Sequence, residues 1–112
     1  MIYRITDVQD WHAAQVSGAF ASADLTAEGF IHCCTAAQIV AVANRYYQGQ
    51  TGLLVLAIDE TCLHVPLRWE DLTHIGEEYP HVYGPIPLGA VQHALPLTPD
   101  PDGQFTAVHC LS

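Results

Sequence analysis

Two histidines stand in segments that core packing alone does not ask for. His32 lies in Gly29-Phe30-Ile31-His32-Cys33-Cys34, and His81 in Tyr79-Pro80-His81-Val82-Tyr83-Gly84-Pro85. Each run is bounded by glycine or proline and carries aromatic residues, so it fixes a backbone shape and presents an imidazole, as cleft walls do. An imidazole takes and gives a proton near neutral pH, which makes either residue a candidate acid or base. His81 and Tyr83 alternate around Val82, and the flanking prolines reduce the freedom lost when a ligand binds. Tyr83 is suited to stack on a planar ring and donate its hydroxyl. The competing reading is a rigid loop packed over the core.

Glu70, after Trp69, is the best-placed carboxylate for a cleft; an exposed surface glutamate is the plainer alternative. His32 falls at a strand end just before a helix cap, where free amide donors can meet an anion. There it would hydrogen-bond a ribose or a phosphate, or simply satisfy local backbone groups. Cys34 is expected on the same strand face, where a buried structural thiol is the favoured reading; the competing one is a reactive thiol, its pKa lowered by the nearby helix N-terminus. Arg45, at the end of the second helix, suits the helix dipole without any further role.

Other chemistries find less support. Seven histidines and four cysteines include no CxxC or HExxH spacing, and the pairs His32 with Cys34 and His109 with Cys110 lack a second half, so no metal site is assigned. A nucleophile elbow is absent, which sets aside a serine triad. Cys33, Cys34, Cys62 and Cys110 make no disulfide framework and are expected to be reduced, with Cys62 a small core hydrophobe.

The elements that must position these residues follow from punctuation and periodicity. Residues 1–5 alternate as a strand. Thr6 through Gln9 has the form of a capping box for a helix over about Asp7 to Ser17, stopped by Gly18. Residues 19–28 read as a loop or short irregular strand, and Gly29 to Cys33 as a strand. Thr35 to Gln38 is a second capping box, opening a helix to about Tyr47 whose apolar face is Ile39, Val42, Ala43 and Tyr46. Leu53 to Ile58, apolar on both faces, reads as a central strand. Leu63 to Val65 and Leu67 to Glu70 read as short strands, and residues 71–89 as a long ordered loop, a kind that is often functional. Val91, His93, Leu95 and Leu97 share a strand face. A turn at Thr98 to Gly103 then leads to a returning strand over Gln104 to Cys110. The pattern is α+β, with two helices in the N-terminal half.

Composition bounds the partners. The chain has 112 residues, which fits one domain over 1–112. It has no lysine; Arg4, Arg45 and Arg68 oppose twelve carboxylates, for a net charge of −9. Such a surface repels phosphate backbones and anionic lipid, so nucleic acid and membranes are poor partners. A small phosphate-bearing ligand needs only an arginine and a helix N-terminus, and stays open. No apolar run approaches a membrane span, and the N-terminus has no signal-peptide pattern, so a cytoplasmic location is expected.

Several motifs in order carry a resemblance: Ile2-Tyr3-Arg4-Ile5-Thr6, Glu28-Gly29-Phe30-Ile31-His32-Cys33, Val42-Ala43-Asn44-Arg45-Tyr46-Tyr47, Leu53-Leu54-Val55-Leu56, Trp69-Glu70 and the Tyr79–Pro85 run. From about Met1 to Val91 the chain resembles the small bacterial family called domain of unknown function 952. That family is grouped by fold with the ADP-ribosyltransferases, whose split sheet binds NAD in a central cleft. The resemblance implies a split, mainly antiparallel sheet with the helices packed on it. It also implies that Tyr3-Arg4-Ile5-Thr6 takes the place of their first motif, where a strand-end residue holds the nicotinamide ribose. One departure stands out: those transferases place a catalytic glutamate late in the chain, and no glutamate follows Glu78 here.

The reading that results is a cleft for NAD or a related ADP-ribosyl compound. Candidate catalytic residues are His81 and Glu70; candidate ligand-binding residues are Arg4, Thr6, His32, Cys34 and Tyr83. Two alternatives come from other classes: a non-catalytic binding module with the same cleft, and a thiol redox sensor using Cys33 and Cys34.

Overall fold

The computed structural model describes residues 1–106. Strand β1 (Ile2–Asp7) leads into helix α1 (Val8–Ser17), and the cap is Asp7 rather than Thr6. Thr6 stays in the strand ladder opposite Leu54, while the Asp7 carboxylate, a stronger acceptor than a hydroxyl, takes the Asp10 amide at 2.7 Å. Gly18 stops the helix as expected. Its φ of 92° is left-handed, and its amide returns to the Ala14 carbonyl at 2.8 Å.

Residues 19–28 hold the short strand expected there, and a helix that was not. They form β2 (Ala19–Phe20) and a helix, α2 (Ala23–Glu28), with Ser22 at its start and Gly29 (φ 88°) at its end. The helix escapes a periodicity search because it is short, polar and buries none of its residues. The Gly29–Cys33 strand is reduced to β3 (Ile31–His32).

The second capping box holds: the Gln38 side-chain carbonyl accepts the Thr35 amide at 2.9 Å. A 3-10 turn (Ala36–Gln38) runs into α3 (Ile39–Tyr46). Ile39 and Ala43 are fully buried and Val42 partly so, but Tyr46, expected on the same face, is 63% exposed. The helix ends there, and its last turn runs out beyond the core.

Strand β4 (Leu53–Ile58) is central as anticipated, between β1 and β8 (Val91–Leu97) in an antiparallel sheet. A bulge interrupts the β4–β8 pairing: Ala57 faces His93 while Ile58 faces Val91, so Gln92 has no partner across the ladder. Successive β4 residues point to opposite faces, which gives two cores. Leu56 and Ile58 join Ile2, Phe20, Ile31 and Ile86; Leu53 and Val55 join Ile5, Ile39, Ala43 and Phe105.

The second sheet is β3–β6–β5, also antiparallel, with β5 at Leu67–Glu70 and β6 at Tyr79–Val82. Strand β7 (Ile86–Pro87) pairs with β2. The 71–89 segment is therefore not one loop: strands at 79–82 and 86–87 are built into sheets, with 71–78 and 83–85 as the loops between. Leu63–Val65 is not a strand. The two main sheets meet at one antiparallel bridge, where Tyr3 and Cys34 exchange amide–carbonyl bonds of 2.8 Å each way. The molecule is thus α+β with a split antiparallel sheet, and three α-helices rather than two occupy its first half. No described helix is long and apolar enough to cross a membrane. The returning strand expected over Gln104–Cys110 is not formed at 104–106, and the rest of it, with the His109–Cys110 pair, lies outside the described residues.

Asn44 pins the last described segment to α3 through two bonds of 2.7 Å, one from its amide to the Phe105 carbonyl and one from the Phe105 amide to its own carbonyl. Asn44→Ala leaves both backbone groups of a buried residue without partners and is expected to cost about 1–3 kcal/mol. Urea denaturation measures it, and an unchanged midpoint would show that Phe105 does not depend on this clamp.

Candidate functional site

A cleft of about 820 Å³ opens between the two sheets, walled by β1, the α2–β3 segment, α3 and the 71–78 loop. Its inner end is built by cross-strand pairing. The β3–β6 register places His32 directly opposite His81, and the β5–β6 register places Arg68 opposite His81 and Glu70 opposite Tyr79. None of these proximities is local in sequence.

His81 is 4% exposed, and its Nδ1 lies 3.0 Å from Glu70 Oε1. The Tyr83 hydroxyl donates to the same carboxylate oxygen at 2.5 Å. One carboxylate thus holds both rings of the Tyr79–Pro85 run. Nε2 of His81 has no protein partner among the described residues, and His81 lines the cleft, so this nitrogen is the one available to a ligand. Phe30 packs at 4.4 Å from the His81 ring, 4.8 Å from His32 and 5.2 Å from Tyr83, centroid to centroid. The Arg68 guanidinium sits 5.1 Å over the Tyr83 ring.

The hydrogen bonds from Tyr83 and then His81 hold the Glu70 carboxyl below the usual carboxylate range. The same Glu70 bond holds the Tyr83 phenol above its usual range, because it favours the protonated form. His32 is oriented in a comparable way, with Nε2 2.8 Å from Glu28 Oε2, although that pair is half-exposed. The two imidazoles lie 5.2 Å apart, edge to face.

Arg4 and Asp24 form a second network at the junction of the sheets. Each side chain is 13% exposed, and Arg4 Nη1 donates to Asp24 at 2.7 Å and to the His32 carbonyl at 2.8 Å. Asp24 also accepts the His32 amide at 2.9 Å and the Ser22 hydroxyl. Burial opposes ionisation of Asp24, but the His32 amide, Ser22 and Arg4 together outweigh it and keep the carboxyl below its ordinary value. The Arg4 Nε is buried without a partner.

Of the residues singled out in the sequence, Arg4, His32, Cys34, Glu70 and His81 line the cleft. Tyr83 and Thr6 do not. Tyr83 stands behind Glu70 as a support, and Thr6 is buried with its hydroxyl donating to the Asp7 carbonyl. Cys34 follows its structural reading. It is buried, and burial pushes its thiol up to about 12 instead of a helix end lowering it. Cys33 is raised further by the same cause, which removes the basis for a thiol sensor at this pair. Cys33, Cys34 and Cys62 are free thiols, Cys62 packing partly buried against the core. Among the described residues no three metal-ligating side chains converge.

Sequence reasoning passed over Asp24, Glu28 and the central place of Phe30. The Ser22-Ala23-Asp24 start and Gly29 stop were the available signals for Asp24 and Glu28, since they delimit the α2 helix that carries them.

The family model for a protein of unknown function, DUF952, matches residues 5–94. The crystal structure of protein CC0527 from Caulobacter crescentus is 34% identical, with a TM-score of 0.84 over 94% of this chain and 92% of that one. The solution NMR structure of CC0527 is 35% identical, with a TM-score of 0.78 over 92% of this chain and 89% of that one. No curated protein matches.

Two predictions follow from the site's electrostatics. A depressed carboxyl such as Glu70 stabilises the fold above its unfolded value of about 4.3, and that contribution is lost as pH falls through the folded value. A raised phenol such as Tyr83 contributes fully below its unfolded value of about 10 and loses it as pH rises through the folded one. Tyr83→Phe should therefore move the Glu70 carboxyl titration upward by NMR; an unmoved titration would contradict the shared hydrogen bond. Cys33 and Cys34 should resist alkylation at neutral pH in the native protein and react fully once it is denatured. Equal labelling in both states would contradict their burial.

Proposed function

The chain belongs to the DUF952 family of proteins of unknown function, and on that footing we propose that its cleft binds the nucleoside part of NAD or an ADP-ribosyl compound. His81 acts there as acid or base in a group transfer. The observation that carries this reading is the Glu70 carboxylate, bonded to His81 Nδ1 and the Tyr83 hydroxyl, with His81 Nε2 left for the ligand. A base must have its proton-accepting atom oriented before substrate arrives, and an anionic partner on the other nitrogen both orients the ring and stabilises the imidazolium that forms.

The grouping of the family with the ADP-ribosyltransferases supports the same reading, since two antiparallel half-sheets with a cleft between them are what that fold requires. In this scheme the base stacks on Phe30 and the ribose hydroxyls meet His32. Arg4 meets the ribose instead of a phosphate, because Asp24 already matches its charge. Glu70 does not take the role of the late transferase glutamate. Its carboxylate is engaged with His81 and Tyr83, so its part is to position His81.

A second reading, a binding module without turnover, rests on one fact: no glutamate follows Glu78. Affinity without product separates it from the enzyme.

The test is a thermal-shift titration with NAD, ADP-ribose, nicotinamide and nicotinamide riboside. A ligand specific for the folded state at about 100 times its dissociation constant adds about 2.7 kcal/mol, a shift of several degrees for this size. No shift with any of them at millimolar concentration overturns the nucleoside reading. Where turnover is found, His81→Ala should abolish it with the far-UV circular dichroism unchanged; retained turnover would remove His81 from the role of acid or base.

A further inference from the structure

We infer that the cleft selects a nucleoside over its own 5′-phosphate, admitting a neutral or positively charged planar base with its ribose. This rests on the nucleoside reading above and narrows it: of the ligands named there, nicotinamide riboside should bind more tightly than NAD or ADP-ribose, whose ribose 5′ carbons carry phosphate.

The argument is one of charge supply. Five carboxylates line the cleft (Asp10, Asp24, Glu28, Glu70 and Glu77) against two arginines. Arg4 is matched by Asp24 and donates to the His32 carbonyl as well, so its charge is already compensated. Arg45 lies at the outer end of α3, its guanidinium 5.5 Å from the Tyr46 ring. The chain has no lysine that could be recruited, and Arg68 is held over Tyr83.

Backbone anion sites are spoken for as well. The Asp7 carboxylate occupies the start of α1, with Asp10 in its first turn. The Gln38 carbonyl takes the Thr35 amide ahead of α3, and Asp24 takes the His32 amide at the cleft floor. These amides are thus already satisfied by protein acceptors; the uncapped start of α2, which also lines the cleft, belongs to a helix of only six residues. A phosphate in the cleft would add charge to five lining carboxylates, and the lining cation without a carboxylate partner among the described residues, Arg45, sits at the end of α3 and is outnumbered by them.

What remains unmatched at the inner end suits the uncharged or cationic part of a nucleoside. The nine-tenths-buried His81 presents Nε2, and Phe30 offers an aromatic face. Glu28, 51% exposed, and Glu70 supply negative charge for a pyridinium-type base. At the mouth, Leu72 and Ile75 on the loop and Tyr46 on α3 are exposed and apolar, which further disfavours a phosphate there.

The experiment is isothermal titration calorimetry of the intact protein with two matched pairs: nicotinamide riboside against its 5′-monophosphate, and adenosine against AMP. Each pair is measured at low salt and at high salt. In each pair the nucleoside should bind about tenfold or more tighter at low salt, with the gap closing as salt rises. Equal or tighter binding of the phosphorylated member overturns the inference and leaves the nucleoside reading standing. A preference that does not respond to salt overturns its electrostatic origin. Binding by neither member of either pair overturns the nucleoside reading itself, and this inference with it.

Discussion

The Asp24 carboxylate holds the two halves of this protein in register. It comes from a short helix with no buried residue, so the helix gains little from its own packing. Through that carboxylate the Arg4 side chain on β1, the Ser22 hydroxyl and the His32 amide on β3 converge at one mostly buried point. Arg4 closes the ring by donating to the His32 carbonyl. Among the described residues one backbone bridge, Tyr3 with Cys34, joins the sheets beside it. Were this junction a continuous ladder, no cleft would open between the sheets. Were it absent, removing one partner of a buried ion pair would leave an uncompensated charge at the seam, a loss of about 3–5 kcal/mol in comparable cases.

With that junction fixed, the inner end of the cleft follows from strand register. His32 opposite His81 is a β3–β6 pairing, and β5 delivers Glu70 from the neighbouring strand. Phe30 then packs among the two imidazoles and Tyr83, and the buried His81 ring is held between it and Glu70. Gly84 completes this corner. A Cβ there would come within 2.5 Å of Val65 Cγ1, so the chain leaving Tyr83 passes closer to its neighbour than a side chain allows. The site is held by packing on one side and by carboxylates on the other, which is how a pre-organised acid or base is built.

What could be read in the sequence was whatever local chemistry decides. The Gly18 stop, the Thr35–Gln38 box and the doubly apolar Leu53–Ile58 strand depend on neighbours a few residues away, and the structure keeps all three. Glu70, His32 and His81 were legible as candidates because their types and flanking residues were unusual, but the bond between Glu70 and His81 spans eleven residues and needs the β5–β6 register. Two-residue strands such as β2, β3 and β7 carry no alternation to detect, and α2 has no apolar stripe. The reactive reading of Cys34 fails for a related reason: proximity to a helix start is local, whereas the burial that raises the thiol and makes it structural comes from β1 and α3 packing over it.

Glu70 fixes His81 with its proton on Nδ1 and its lone pair on Nε2, facing the cleft. Long-range ¹⁵N–¹H correlation spectra of the imidazole, recorded where His81 is neutral, report the tautomer directly. The Nδ1–H form is expected in the native protein, with that preference lost in Glu70→Gln. A neutral His81 carrying its proton on Nε2 in the native protein would contradict it.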